Sequence, residues 1–135
     1  MRVRYSKSHP LQKKSDSMPR LSLVLRANGR EIEAIALVDS GAMVSVMPFQ
    51  LGQELGMMWN PREAKIELGG IASDSGAIPI LVPAQFGDYE PVDLLFAWTK
   101  RNDVPLILGQ VDFFRYFRVC FEGYNYEFEI TPRPR

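Results

Sequence analysis

Ala36-Leu37-Val38-Asp39-Ser40-Gly41-Ala42-Met43-Val44-Ser45-Val46-Met47-Pro48 is the stretch on which the fold turns. It holds one acidic residue in an otherwise apolar or small run. Leu37 and Val38 read as the end of a buried strand, and Ser40-Gly41 as a tight turn directly after it. Asp39 therefore sits where a buried strand breaks into a loop. An ionised carboxylate is costly there unless it is paired or hydrogen-bonded. It is either a turn residue that escapes to solvent or an acid held in a cleft. Aspartate, serine and glycine are ordinary turn formers, so the triplet alone leaves both readings open.

Working outward, the segment before Asp39 reads as a hairpin. Leu21, Leu23 and Leu25 alternate with Ser22, Val24 and Arg26, the period of a half-buried strand. Asn28-Gly29 supplies positive φ and is a strong hairpin turn signal. Glu31 to Ala34 returns with one wet face, and Ile35 to Val38 is apolar on both. After the turn, Pro48 to Gly56 fits a short helix, with proline in the first turn and Leu51 and Leu55 on one face. Ile66 and Leu68 start another strand, ended by Gly69-Gly70. Gly69 to Pro79 reads as a hairpin tip, either an ordinary loop or a lid. Ile78 to Phe86 is a strand whose Pro79 and Pro83 argue for an edge or a bulge. Val92, Leu94, Phe96 and Trp98 alternate in the next. Pro105-Leu106-Ile107-Leu108-Gly109 is a second buried strand closed by glycine, and Phe113, Phe114 and Phe117 suit one side of a short helix. Arg118 to Phe121 and Tyr126 to Ile130 are strands around the turn Gly123-Tyr124-Asn125.

The chain has 135 residues, which favours one domain. Lysines and arginines equal aspartates and glutamates, 16 against 16, so no charge footprint points to nucleic acid or an anionic membrane. The single cysteine, Cys120, excludes an internal disulfide framework and fits a reducing compartment. The start lacks the apolar core of a signal peptide, and no run reaches the roughly 18 apolar residues of a membrane helix. A cytoplasmic location is expected. Residues 1–20 read as an N-terminal arm or edge strand, 21–130 as the domain, and 131–135 as a Pro/Arg tail that does not readily continue pairing, because proline lacks the donor.

Three features in order carry a resemblance. Ala36 to Ala42 with Ser45 and Pro48 resembles the active-site segment of retropepsin-type aspartic proteases, the single-domain relatives of pepsin. Leu106-Ile107-Leu108-Gly109, followed by Phe113, Phe114, Phe117, Val119 and Phe121, is similar to the buried strand, glycine and helix near that family's C-terminus. Between them lies a glycine-containing hairpin where the family has its flap. The resemblance runs from about Leu21 to Ile130. It implies a mainly β fold, a closed barrel-like acid-protease domain with one or two short helices and a flap hairpin.

It also implies an aspartic endopeptidase. That chemistry activates a water between two carboxylates sharing one proton. The chain offers one such residue, Asp39, and no second Asp-Ser-Gly or Asp-Thr-Gly. The second carboxylate would come from Asp39 of another copy, making the enzyme a homodimer with its site on the two-fold axis. By the same resemblance Ser40 would hydrogen-bond across the axis. Gly41, with Ala42 beside it in the loop, would let backbone approach the substrate. Gly69, Gly70 and Ile71 would belong to the flap. Leu108 and Gly109 would support the loop from below. The implied partner is an extended peptide or protein substrate, with no metal, organic cofactor, nucleic acid or membrane.

Two positions depart from the family's viral members. Met43 stands where an acidic residue anchors substrate backbone and an arginine, and Gln110 replaces that arginine. These motivate an alternative, a catalytically weak or inactive protease-like domain acting as a peptide-binding or assembly module. A second rival is an unrelated β-barrel binding protein in which Asp39 is only a turn. In the viral members the chain ends interleave to join the protomers, a mode that prolines in the tail disfavour. His9, the only histidine, lies in a polar arm and makes a poor general base for Ser40. Cys120 lies in an alternating apolar strand and reads as core. Asp112 reads as a surface or capping residue.

Overall fold

The computed structural model describes residues 1–65 and 76–134. Nine strands and two α-helices form among them: β1 Arg2–Arg4, β2 Arg20–Ala27, β3 Arg30–Val38, β4 Ser45–Met47, β5 Ala77–Gln85, β6 Val92–Thr99, β7 Leu106–Leu108, β8 Phe117–Glu122 and β9 Glu127–Pro132, with α1 at Phe49–Glu54 and α2 at Phe113–Tyr116. Six strands close a barrel in the order β2-β3-β7-β4-β6-β5, and the remaining three make a sheet ordered β1-β9-β8. The strand expected at Ile66 and Leu68 lies outside the described residues. Among those residues no helix is long and apolar enough to cross a membrane.

Alternation in the sequence sets what faces inward. Leu21, Leu23 and Leu25 of β2 are all buried, while Ser22 between them is exposed. The β2–β3 hairpin closes through Asn28 at φ 51° and Gly29 at φ 72°, the left-handed pair that a two-residue hairpin turn requires. Asn28 Nδ2 also donates to Leu55 O at 2.8 Å, tying this turn to the end of α1. Among the described residues, Pro79 and Pro83 lie on β5 where it pairs only with β6, and β2 joins β5 only at Ala84 and Gln85.

Helix α1 lies against the barrel because Gly52 allows it. A Cβ there would fall 2.2 Å from Trp98 Nε1. That indole stacks on Phe49, with centroids 5.6 Å apart, and donates to Phe49 O at 3.1 Å. The three-stranded sheet shares the barrel's core: Phe128 and Ile130 of β9 are fully buried in one cluster with Leu21, Phe86, Phe113 and Leu108.

Two sequence expectations need correction. Cys120 is exposed, not core. Its cross-strand neighbour is Glu129, which in turn faces Arg2, so it belongs to the solvent row of the sheet. A strand lies where the sequence expects one, but Val119 rather than Cys120 turns toward the core. The tail also pairs further than expected: Thr131 and Pro132 lie opposite Arg118 and Phe117. Because β1 flanks β9 only at Glu127–Glu129, proline at this end need not interrupt a ladder on that side.

Candidate active site

The site is assembled by β7, which is held on both sides. It pairs in parallel with β3, Val38 opposite Leu108, and antiparallel with β4, Val46 opposite Ile107. The loop leaving β3 and the chain leaving β7 therefore emerge at the same end. Asp39 N–H donates to Leu108 O at 3.0 Å, so the aspartate's backbone is fixed by the neighbouring strand before its side chain does anything. The chain turns at once: Ala42 N–H donates to Asp39 O at 3.2 Å, and Gly41 N–H donates to Asp39 Oδ1 at 2.9 Å. That last bond leaves Oδ2 without a partner among the described residues.

A second layer locks this loop against the segment after β7. Gln110 N–H donates to Ala42 O at 2.9 Å, and Val111 N–H to Met43 O at 2.8 Å. The Gln110 side chain reaches back, its Nε2 donating to Ser40 O at 2.8 Å. Gly109 lies beneath, and no other residue fits there. A Cβ would fall 2.5 Å from Val44 O and 2.9 Å from Ala42 O. Its N–H donates to Ser45 Oγ at 3.0 Å, and Ser45 is fully buried. A buried hydroxyl inside the apolar run Val44 to Met47 has to find a partner, which was the available signal for its role. Sequence reasoning assigned no role to Ser45, and at Gln110 it registered only a missing cation.

The loop faces outward. Asp39 is half-buried, Ser40 and Gly41 are exposed, and Met43 keeps 78% of its surface in solvent. The Ser40 hydroxyl makes no hydrogen bond among the described residues. A groove of about 850 Å³ beside Tyr89, Tyr116, Phe117 and Arg133 includes no residue of this loop. Gly69, Gly70 and Ile71 lie outside the described residues.

Asp112 precedes α2, at its N-cap position. Its Oδ1 accepts from Leu95 N–H at 3.2 Å, and burial pushes its carboxyl above the ordinary value. It caps no helix N–H with its side chain. His9 is exposed, its Nδ1 accepting from Leu11 N–H. Among the described residues no group of three histidine, cysteine, aspartate or glutamate side chains is placed to hold a metal.

By sequence, no family model and no curated protein matches the chain. Solved structures do. A retropepsin-like aspartic protease from Rickettsia conorii superposes with a TM-score of 0.61 at 13% identity, covering 95% of this chain and 88% of that one. The fold is of the retropepsin type. The protease of EIAV, solved with the inhibitor HBY-793, gives a TM-score of 0.53 at 17% identity over 77% of this chain and 88% of its own. The retroviral protease-like domain of Ddi1 from Leishmania major gives 0.52 at 19% identity over 86% and 97%. This retropepsin fold removes the rival in which the barrel is an unrelated one. At these identities the likeness concerns the fold alone.

Proposed function

We propose that the protein is an aspartic endopeptidase whose catalytic pair is Asp39 from each of two copies. The observation that carries this is the braced but outward-facing loop. Asp39 is held through its backbone by Leu108 and its neighbours by Gln110 and Val111, with Gly109 packed beneath, and yet among the described residues its second carboxylate oxygen and the Ser40 hydroxyl have no partner. A mere turn aspartate needs no such support. A rigid acid offered to a partner does, because two carboxylates must be held roughly 3 Å apart to share a proton.

The chemistry then follows from the residues. The ionised member takes a proton from water as its oxygen attacks the peptide carbonyl carbon. The protonated member gives its proton to the carbonyl oxygen. As the tetrahedral adduct collapses, the carboxyl that took the water proton gives it to the leaving nitrogen, a hydroxyl of the adduct returns its proton to the other carboxylate, and the C–N bond breaks to leave acid, amine and a singly protonated pair. The mechanism works only while the pair shares one proton, one carboxyl ionised and the other protonated. Substrate would lie extended, its backbone paired with protein and its side chains in apolar pockets. Met43, exposed and uncharged, replaces an ionic anchor by an apolar surface at the loop's rim. The single thiol is in keeping with a reducing compartment such as the cytoplasm.

The test is Asp39→Asn assayed on a diverse peptide pool between about pH 4 and 7. Cleavage by the wild type and its loss by at least about 100-fold in a variant that still folds and dimerises is the expected result. A wild type inactive over that whole range would favour the non-catalytic peptide-binding module.

A further inference from the structure

The outer flank of β8 carries no strand among the described residues, while its inner flank pairs with β9 along its whole length. An open edge is a template for another strand and is commonly blunted by proline, a bulge or clustered like charges. Arg118-Val119-Cys120-Phe121-Glu122 has none of these. The two faces of the edge differ. Val119 and Phe121 share the face of Ile130 and Phe128, which are fully buried, so the apolar layer runs out to a Phe121 still 38% exposed. On the other face Arg2 lies 3.0 Å from Glu122, 3.4 Å from Glu127 and 3.7 Å from Glu129, three carboxylates around one guanidinium. Arg118, on that same face, has no carboxylate partner among the described residues.

The geometry points to a second copy of this chain docking edge to edge along β8, antiparallel and centred on Cys120. In that register Arg118 faces the second copy's Glu122, Val119 faces its Phe121, and Cys120 faces its own counterpart. Charge and apolar pairing are satisfied together, and each excess of carboxylate receives a guanidinium. The neighbouring registers are poorer. Centring on Arg118 or Glu122 sets like charges opposite, and centring on Val119 or Phe121 leaves Arg118 or Glu122 facing a thiol. Both chain ends stay with their own protomer, since β1 already pairs with β9. The two three-stranded sheets become one, with no exchange of termini. This placement deepens the reading that Asp39 works across a two-fold axis, and rests on it.

Cys120 is the chain's single cysteine, so any disulfide between two copies reports this position. Directly opposed antiparallel residues have Cα atoms roughly 4.5–5.5 Å apart, inside the roughly 4.4–6.8 Å that a disulfide spans. The experiment treats the full chain with diamide, follows covalent dimer by non-reducing electrophoresis, and measures sedimentation in parallel without oxidant. The expected result is a rapid cross-link, slowed at least about tenfold by Arg118→Glu or Glu122→Arg alone and restored when both are combined. A dimer in sedimentation that neither cross-links nor responds to the charge reversals overturns this interface and leaves the Asp39 pair standing. Cross-linking equally fast in all variants means random collision of exposed thiols, and overturns it too. A monomer at every concentration overturns the interface and the two-copy site together.

Discussion

Ser45 and Gly109 show what a single residue contributes beneath the site. The Gly109 N–H is buried and has the Ser45 hydroxyl as its acceptor. Ser45→Ala removes the acceptor and leaves the donor unsatisfied, which costs about 1–3 kcal/mol. The expected outcome is an unfolding free energy lowered by that amount, read as a lower urea midpoint with the slope unchanged. Gly109→Ala is harsher in kind, because the added methyl meets backbone carbonyls of Val44 and Ala42 that cannot rotate away. A loss of about 1–3 kcal/mol or more is expected, read from the same denaturation curve. A Gly109→Ala protein as stable as the parent would mean that the loop shifts freely, contrary to the bracing described. The turn at Asp39, Ser40 and Gly41 and the strand end at Leu108 and Gly109 were legible in the sequence, because each is an apolar run broken by turn-forming residues. The roles of Ser45 and Gln110 were not, because their partners lie 64 and 70 residues away along the chain. Nothing local to Gln110 says that its amide braces Ser40.

Elements carry the next constraints. Asp112 precedes helix α2 at its N-cap position, and its carboxylate reaches across to β6 by accepting from Leu95 N–H. Burial raises its pKa, the Leu95 hydrogen bond opposing this without cancelling it. The folded state therefore favours the protonated form. Its stabilising contribution is complete below the unfolded carboxyl value of about 3.8 and is lost as pH rises through the raised folded value. Asp112→Asn keeps an oxygen for Leu95 and has no charge to bury. Relative to the parent, the variant should gain stability between pH 3 and pH 7, measured by urea denaturation at both. A difference that shrinks as pH rises would contradict the burial argument. The strands β2, β3, β5, β6 and β7 were readable from alternation, turn residues and glycine. The inward face of β8 was not. Val119-Cys120-Phe121 is apolar throughout, so periodicity shows a strand without saying which side is wet; Glu129 and Arg2, supplied by β9 and β1, decide it.

At the scale of the whole molecule, one copy of the chain presents a single Asp39, and the proposed mechanism needs two carboxyls. The loop's exposure is what a shared site requires, since an aspartate sealed within its own protomer could not meet a second. A mixing experiment separates a shared site from a self-sufficient one without knowledge of the substrate. Parent and Asp39→Asn chains are combined in equal amounts above the dimerisation constant and allowed to exchange, with total chain concentration held fixed. If each copy acted for itself, about half the parent rate would remain. If the site needs both aspartates, random pairing leaves about a quarter of the dimers fully competent. The mixed dimer holds one carboxyl and one amide, and an amide can neither release nor accept the proton that the pair must share. The rate should therefore fall to about a quarter and rise steeply with concentration when the unmixed parent is diluted through its dissociation range. Retention of one half, with specific activity constant on dilution, would place the second acid within the same chain, and Asp112 would be the first to substitute.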